Sequence, residues 1–148
     1  MRIAINGFGR IGRSVFRLLN KKEGVKVVAI NDLADSEALA YLLRHDTVMG
    51  PFEEPAHMEG DMMVTPNQKV KMTESPNPAE LPWKEMGIDF VVEATGRFRK
   101  RAEIAQHIDA GARKVLLTVP AKDEIDATIV LGVNNEDLKA EHEIVSNA

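Results

Sequence analysis

The sequence predicts one α/β domain: a doubly wound, mostly parallel sheet with a small antiparallel excursion around residues 48–80. Three observations predict it. Val25–Asn31 is a nearly unbroken β-branched apolar run, the pattern of a strand covered on both faces. Such runs alternate along the chain with segments of helical period. A glycine-rich turn, Gly7-Phe8-Gly9-Arg10-Ile11-Gly12, joins the first strand pattern to the first helical one.

Taken in order, Arg2–Asn6 reads as a short buried strand. Ile11, Val15, Leu18 and Leu19 recur at i, i+4, i+7 and i+8, which predicts a helix and makes these four its inner face. Gly24 ends that helix, with Lys21 and Lys22 placed where a helix dipole favours cations. After the Val25–Asn31 strand, Asp35 or Ser36 caps a second helix carrying Leu39, Leu42 and Leu43. Pro51, Pro55, Pro66, Pro76 and Pro78 punctuate the next stretch. Short strands are expected there at Met62–Val64 and Val70–Met72, around a turn at Pro66-Asn67.

Strand character returns at Asp89–Ala94, followed by a helix from Lys100 to Ala110 that Gly111 ends. Strands at Lys114–Thr118 and Thr128–Leu131, a helical turn at Glu136–Lys139 and a last strand beginning at Glu143–Val145 complete the pattern.

Composition limits the function classes. The 148 residues are 44% apolar and 28% charged, in keeping with one globular domain. The net charge of −4 is interspersed rather than striped, which argues against a nucleic-acid partner. No apolar stretch approaches the roughly 20 residues of a membrane span, and no signal-peptide core opens the chain. No membrane association and a cytoplasmic location are therefore expected. The chain has no cysteine, so it holds neither a disulfide, a thiolate metal site nor a cysteine nucleophile. His45, His57, His107 and His142 are scattered without ligand spacing, and no metal site is expected. Met58, Met62, Met63 and Met72 read as core filler.

Glycines are common, so the Gly-x-Gly-x-x-Gly motif gains its force from context. It follows a strand, opens a helix, and has an acidic residue, Asp32, 20 positions beyond Gly12 at the end of the next strand. Gly7 permits the tight turn, Gly9 lets backbone approach a pyrophosphate, and Gly12 lets the helix pack on the sheet. The free amides of Arg10 and Ile11 at the helix N-terminus are the expected phosphate donors. Asp32 would accept from the adenosine ribose hydroxyls and repel a 2′-phosphate, so the cofactor expected is NAD rather than NADP. Ala94-Thr95-Gly96-Arg97-Phe98 and Thr118-Val119-Pro120 end two further strands, where open α/β sheets bind ligands. A purely structural turn and a flavin site on the same fold are the alternatives at this point.

Together these residues resemble the phosphorylating glyceraldehyde-3-phosphate dehydrogenases, along the whole chain. The matching segments are Asn6–Arg13, Asn31-Asp32-Leu33, Leu42–Gly50, Glu93–Phe98, Val119–Lys122 and Gly132-Val133-Asn134. The resemblance implies a Rossmann domain that binds NAD through Gly7, Phe8, Gly9, Arg10, Ile11, Asp32, Thr95, Gly96, Phe98 and Thr118. Ser75 stands near a position where the family usually has an arginine whose backbone contacts adenine, so a backbone contact is expected of it. Val119 replaces a usually smaller residue. Ile144–Ala148 resembles the approach to the family's active site, where a Ser-Cys-Thr-Thr-Asn segment follows. The catalytic cysteine and histidine would then lie beyond this chain.

In the complete enzyme, by the same resemblance, a cysteine thiolate attacks the aldehyde to form a thiohemiacetal. Hydride passes to NAD, and inorganic phosphate releases 1,3-bisphosphoglycerate. The partners implied are a phosphorylated aldehyde, inorganic phosphate and three further copies in a homotetramer. The chain itself is expected to bind NAD without catalysis. Erythrose-4-phosphate dehydrogenase, which shares the motifs, and a non-catalytic NAD-binding module are the rival expectations.

Overall fold

The computed structural model describes residues 1–148. In chain order the elements are β1 (Arg2–Asn6), α1 (Arg10–Leu19), β2 (Lys26–Asn31), α2 (Ser36–Arg44), β3 (His45–Asp46), β4 (Gly50–Pro51), β5 (His57–Glu59), β6 (Met62–Val64) and β7 (Lys69–Thr73). They continue with β8 (Phe90–Glu93), α3 (Arg101–Asp109), β9 (Lys114–Leu117), β10 (Ala127–Thr128) and β11 (Ile144–Ser146). Two short 3-10 turns lie at Pro78–Glu80 and Asn135–Asp137.

One nine-stranded sheet runs β10-β11-β9-β8-β1-β2-β7-β6-β5, and β3 with β4 forms a separate two-stranded ladder. Every neighbour pair from β10 to β7 is parallel. Within this sheet only β5 with β6 and β6 with β7 are antiparallel. The expected antiparallel excursion is therefore continuous with the main sheet, because β7 pairs antiparallel with β6 on one side and parallel with β2 on the other. β1 sits at the centre. The connections spread from it in both directions, to β2 and β7 on one side and to β8 and β9 on the other. This is the point at which a doubly wound sheet opens a crevice.

Alternation along β1 feeds two cores. Ile3 and Ile5 join Phe8, Phe16, Val27, Ile30, Leu39 and Leu43 under α1 and α2. Ala4 joins Ala29, Trp83, Val91, Ile104, Val115 and Leu117 under α3 and the segment before β8. α2 begins where Asp35 accepts the Ala38 amide at 2.9 Å. At the start of α3, Glu103 accepts the Lys100 amide at 3.1 Å and Asp123 accepts the Arg101 amide at 2.7 Å. No helix is long and apolar enough to cross a membrane.

Three expectations are corrected. The buried face of α1 is Gly12, Arg13 and Phe16; of the expected four, Val15 and Leu19 pack against the core beside it, whereas Ile11 and Leu18 are 53% and 74% exposed. Gly12 turns toward the sheet because its missing Cβ allows contact there, and that rotation carries Ile11 and Leu18 outward. In α2, Leu42 is likewise exposed and Ala40 takes its place in the core. The strand expected at Thr128–Leu131 stops at Thr128. The Asn134 side chain accepts the Val130 amide at 2.7 Å and donates to the Thr128 carbonyl at 3.0 Å. These local bonds replace the ladder.

Candidate functional site

The glycine-rich turn is built by close approach. Gly7 has φ +92°, in the left-handed region. A Cβ on it would stand 2.7 Å from the Thr95 nitrogen. A Cβ on Gly12 would stand 2.1 Å from the Gly7 carbonyl oxygen, so the helix rests directly on the turn. Gly9 differs from both: a Cβ there would meet nothing within 4 Å. The space beside Gly9 is free for something outside the chain.

Gly9 also serves as N-cap of α1 without any side-chain cap, and the first turn holds no acidic residue. The amides of Gly9, Arg10 and Ile11 donate to no atom of the protein. α2 and α3 have carboxylates at the corresponding place, so α1 alone is left with bare donors and an unanswered positive dipole end. Arg13 braces the turn from beneath, donating to the Phe8 carbonyl at 3.0 Å and pairing with Asp46 at 3.4 Å. The Met49 and Val48 amides, then Arg13, hold the Asp46 carboxyl below the usual range.

Asp32 lies at the end of β2. Its Oδ2 accepts the Phe8 amide at 2.7 Å and its Oδ1 accepts the Ala34 amide at 2.9 Å. A carboxylate offers about four acceptor positions, so each oxygen keeps one for another donor. The Phe8 ring is fully buried against Phe16, with centroids 5.8 Å apart. Phe8 therefore meets the site only through its backbone.

A crevice of about 310 Å³ brings together Gly7, Gly9, Asp32, Ser75, Thr95 and Phe98 from among the expected residues. Arg10 and Ile11 follow directly at the helix start. Gly96 and Thr118 are not part of its lining. The Thr118 hydroxyl donates to the Glu93 carbonyl at 3.1 Å, tying β9 to β8. Leu33, Pro76, Ala94 and Arg97 complete the walls, and Asn6 and Asn31 line the crevice as well.

Asn6 and Asn31 lie within the matching segments, but motif reasoning gives neither a role. Asn31 Nδ2 donates to Asn6 Oδ1 at 2.8 Å and to the Ser75 carbonyl at 2.9 Å. Asn31 Oδ1 accepts the Ser75 amide at 2.9 Å. The signal available was a polar residue ending each of two apolar strands, directly before the turn and before Asp32.

The residues present suit a dinucleotide. Open space beside Gly9 and free amides at the helix start offer a diphosphate cradle. Spare acceptor positions on Asp32 suit sugar hydroxyls. No three acidic, histidine or cysteine side chains converge to hold a metal ion.

Comparison with known proteins agrees. Residues 1–101 match the family described as glyceraldehyde 3-phosphate dehydrogenase, NAD binding domain. Proteins named glyceraldehyde-3-phosphate dehydrogenase are similar along the chain. That of Thermotoga maritima is 46% identical over 99% of this chain and 44% of its own length. That of Priestia megaterium is 46% identical over 100% of this chain and 44% of its own length. That of Pseudomonas aeruginosa is 47% identical over 100% of this chain and 45% of its own length. The chain thus spans a little under half the length of these relatives. With this turn, this acid and this sheet order, the chain belongs to the NAD-binding domain family of the glyceraldehyde-3-phosphate dehydrogenases.

Proposed function

We propose that residues 1–148 form the cofactor domain of a phosphorylating glyceraldehyde-3-phosphate dehydrogenase, and that the catalytic domain lies outside this chain. The observation that carries the reading is the bond between the Phe8 amide and Asp32. It holds the glycine-rich turn and the Asp32 carboxylate on one crevice, which supports a phosphate cradle beside a ribose acceptor. The cofactor contacts proposed are the backbone of Gly7, Phe8, Gly9, Arg10 and Ile11, the Asp32 carboxylate, the Ser75 backbone, and Thr95, Gly96, Phe98 and Thr118.

When bound, NAD supplies the hydride acceptor for oxidation of the aldehyde. The protein's own work is orientation. The α1 amides hold diphosphate, Asp32 fixes the sugar and excludes a 2′-phosphate, and the strand-end turn from Thr95 to Phe98 walls the crevice. The chain has no cysteine, so the thiolate that this reaction needs comes from outside it; the base histidine and the phosphate sites are proposed to lie there too. The complete enzyme is proposed as a cytoplasmic homotetramer acting on a phosphorylated aldehyde and inorganic phosphate.

Calorimetry of the chain with NAD and NADP tests the cofactor reading: NAD binds more tightly, and equal or tighter NADP binding refutes it. The 148-residue chain oxidises no aldehyde. The full-length enzyme reduces NAD with glyceraldehyde-3-phosphate in preference to erythrose-4-phosphate; the reverse preference would reassign the substrate.

A further inference from the structure

Beneath the crevice runs a chain of buried polar side chains that the cofactor contacts do not use. Glu93, at the carboxyl end of β8, has no exposed surface. Its Oε1 accepts the Thr95 amide at 2.9 Å and the Thr95 hydroxyl at 2.5 Å. Its Oε2 accepts Asn6 Nδ2 at 2.6 Å and lies 2.9 Å from His107 Nε2. The Trp83 indole N–H, which can only donate, points at His107 Nδ1 at 3.0 Å. His107 Nδ1 is therefore the acceptor, and Nε2 carries the proton donated to Glu93. Four donors then converge on one carboxylate, which matches the acceptor capacity of its ionised form.

The chain continues through Asn6 to Asn31 and so to the Ser75 amide and carbonyl. Thr95 and Ser75 both line the crevice, one after β8 and the other after β7. These strands lie on opposite sides of β1 and β2. One buried carboxylate thus ties both turns to a common frame. Removing one member of such a network leaves buried donors unpaired.

We propose that Glu93 is a positioning residue for the dinucleotide: with His107 and Asn6 it sets the places of the Thr95 and Ser75 turns, and so the width of the crevice. This rests on the NAD reading given above. Glu93→Gln keeps the shape but turns one acceptor into a donor. Its amide oxygen keeps the Asn6 and His107 bonds, and its NH₂ then faces the Thr95 amide, donor against donor.

The NAD dissociation constant of Glu93→Gln rises at least tenfold. Hydrogen exchange at the Thr95 and Ser75 amides quickens at least tenfold, while the Val115 amide, bonded to the Glu143 carbonyl, is unchanged. Both are measured where emission from Trp83, the only tryptophan, remains that of a buried indole. A dissociation constant within twofold of the unmodified chain, or unchanged exchange at Ser75, overturns the proposal.

Should Glu93→Gln not fold, His107 decides, because it lies outside the crevice lining. His107→Leu removes the donor to Glu93 and raises the dissociation constant at least threefold. His107→Gln restores both an acceptor for Trp83 and a donor for Glu93, and returns it to within twofold. NAD binding by His107→Leu equal to that of the unmodified chain overturns the proposal. An unmodified chain that binds no NAD fails the crevice reading first, and the proposal with it.

Discussion

The amide of Phe8 donates to Asp32 Oδ2 at 2.7 Å, across 24 positions of sequence. The turn that would cradle phosphate and the acid that would grip ribose are thereby one unit. Asp32→Ala removes a charged acceptor and strands the Phe8 and Ala34 amides. NAD affinity falls about 10- to 100-fold, as expected for a hydrogen bond to a charged group. NADP affinity falls less, because repulsion of its 2′-phosphate is relieved. Calorimetry with both nucleotides reads the change in their ratio.

Two glycines of the turn answer differently to a methyl group. At Gly9 the added Cβ meets open space, so Gly9→Ala changes stability by no more than about 1 kcal/mol, the cost of a poorer N-cap, yet weakens NAD binding at least tenfold. At Gly12 the Cβ strikes the Gly7 carbonyl. Gly12→Ala therefore destabilises the fold by about 2–3 kcal/mol through overpacking. Thermal unfolding with and without NAD separates the two.

The cofactor contact proposed for Ser75 runs through its backbone. Ser75→Ala removes only the local bonds between its hydroxyl and Asn77, and NAD affinity stays within threefold. Asn31→Ala leaves the Ser75 amide and the Asn6 side-chain oxygen unpaired. It destabilises the fold by about 2–4 kcal/mol and weakens NAD binding as well. Chemical denaturation and calorimetry check the pair.

Asp126 makes stability depend on acid pH. Burial alone would raise its carboxyl, but the Ile144 and Glu143 amides and the Arg101 guanidinium outweigh that and hold it at about 2. The folded value lies below the ordinary one of 3.8, so unfolding takes up protons. Its stabilisation is fully present above about pH 4 and is lost as pH falls through 2. Asp126→Asn flattens the acid limb of a melting-temperature profile between pH 4 and 2. A limb of unchanged slope in that window assigns the acid sensitivity elsewhere.

Much of the site was legible because its parts are local. Gly7, Gly9 and Gly12 are set by one turn, and Asp32 by its distance along the next strand. What escaped was non-local. Asn6, Asn31 and Glu93 are separate polar residues ending apolar strands, and only the order β2-β1-β8 makes them neighbours. The α1 face was misread because apolar spacing marks a stripe without showing which stripe meets the sheet. There the contact made by Gly12 outranks the burial of Ile11. Arg13 carries a charge into a buried place, which periodicity has no means of revealing. The ladder of β3 and β4, two residues each, is too short to leave any alternation.

The central place of β1 governs how the molecule assembles. Ile3 pairs with Val27 on one side and with Phe90 on the other. A ribosome therefore extrudes the middle strand before either neighbour and supplies the second of them 87 residues later. Until then one edge of that strand has unpaired backbone and apolar side chains ready to meet a foreign strand. Contacts so distant in sequence also slow spontaneous refolding. Newly made chains released before β8 emerges should aggregate, whereas the finished domain has that edge sealed.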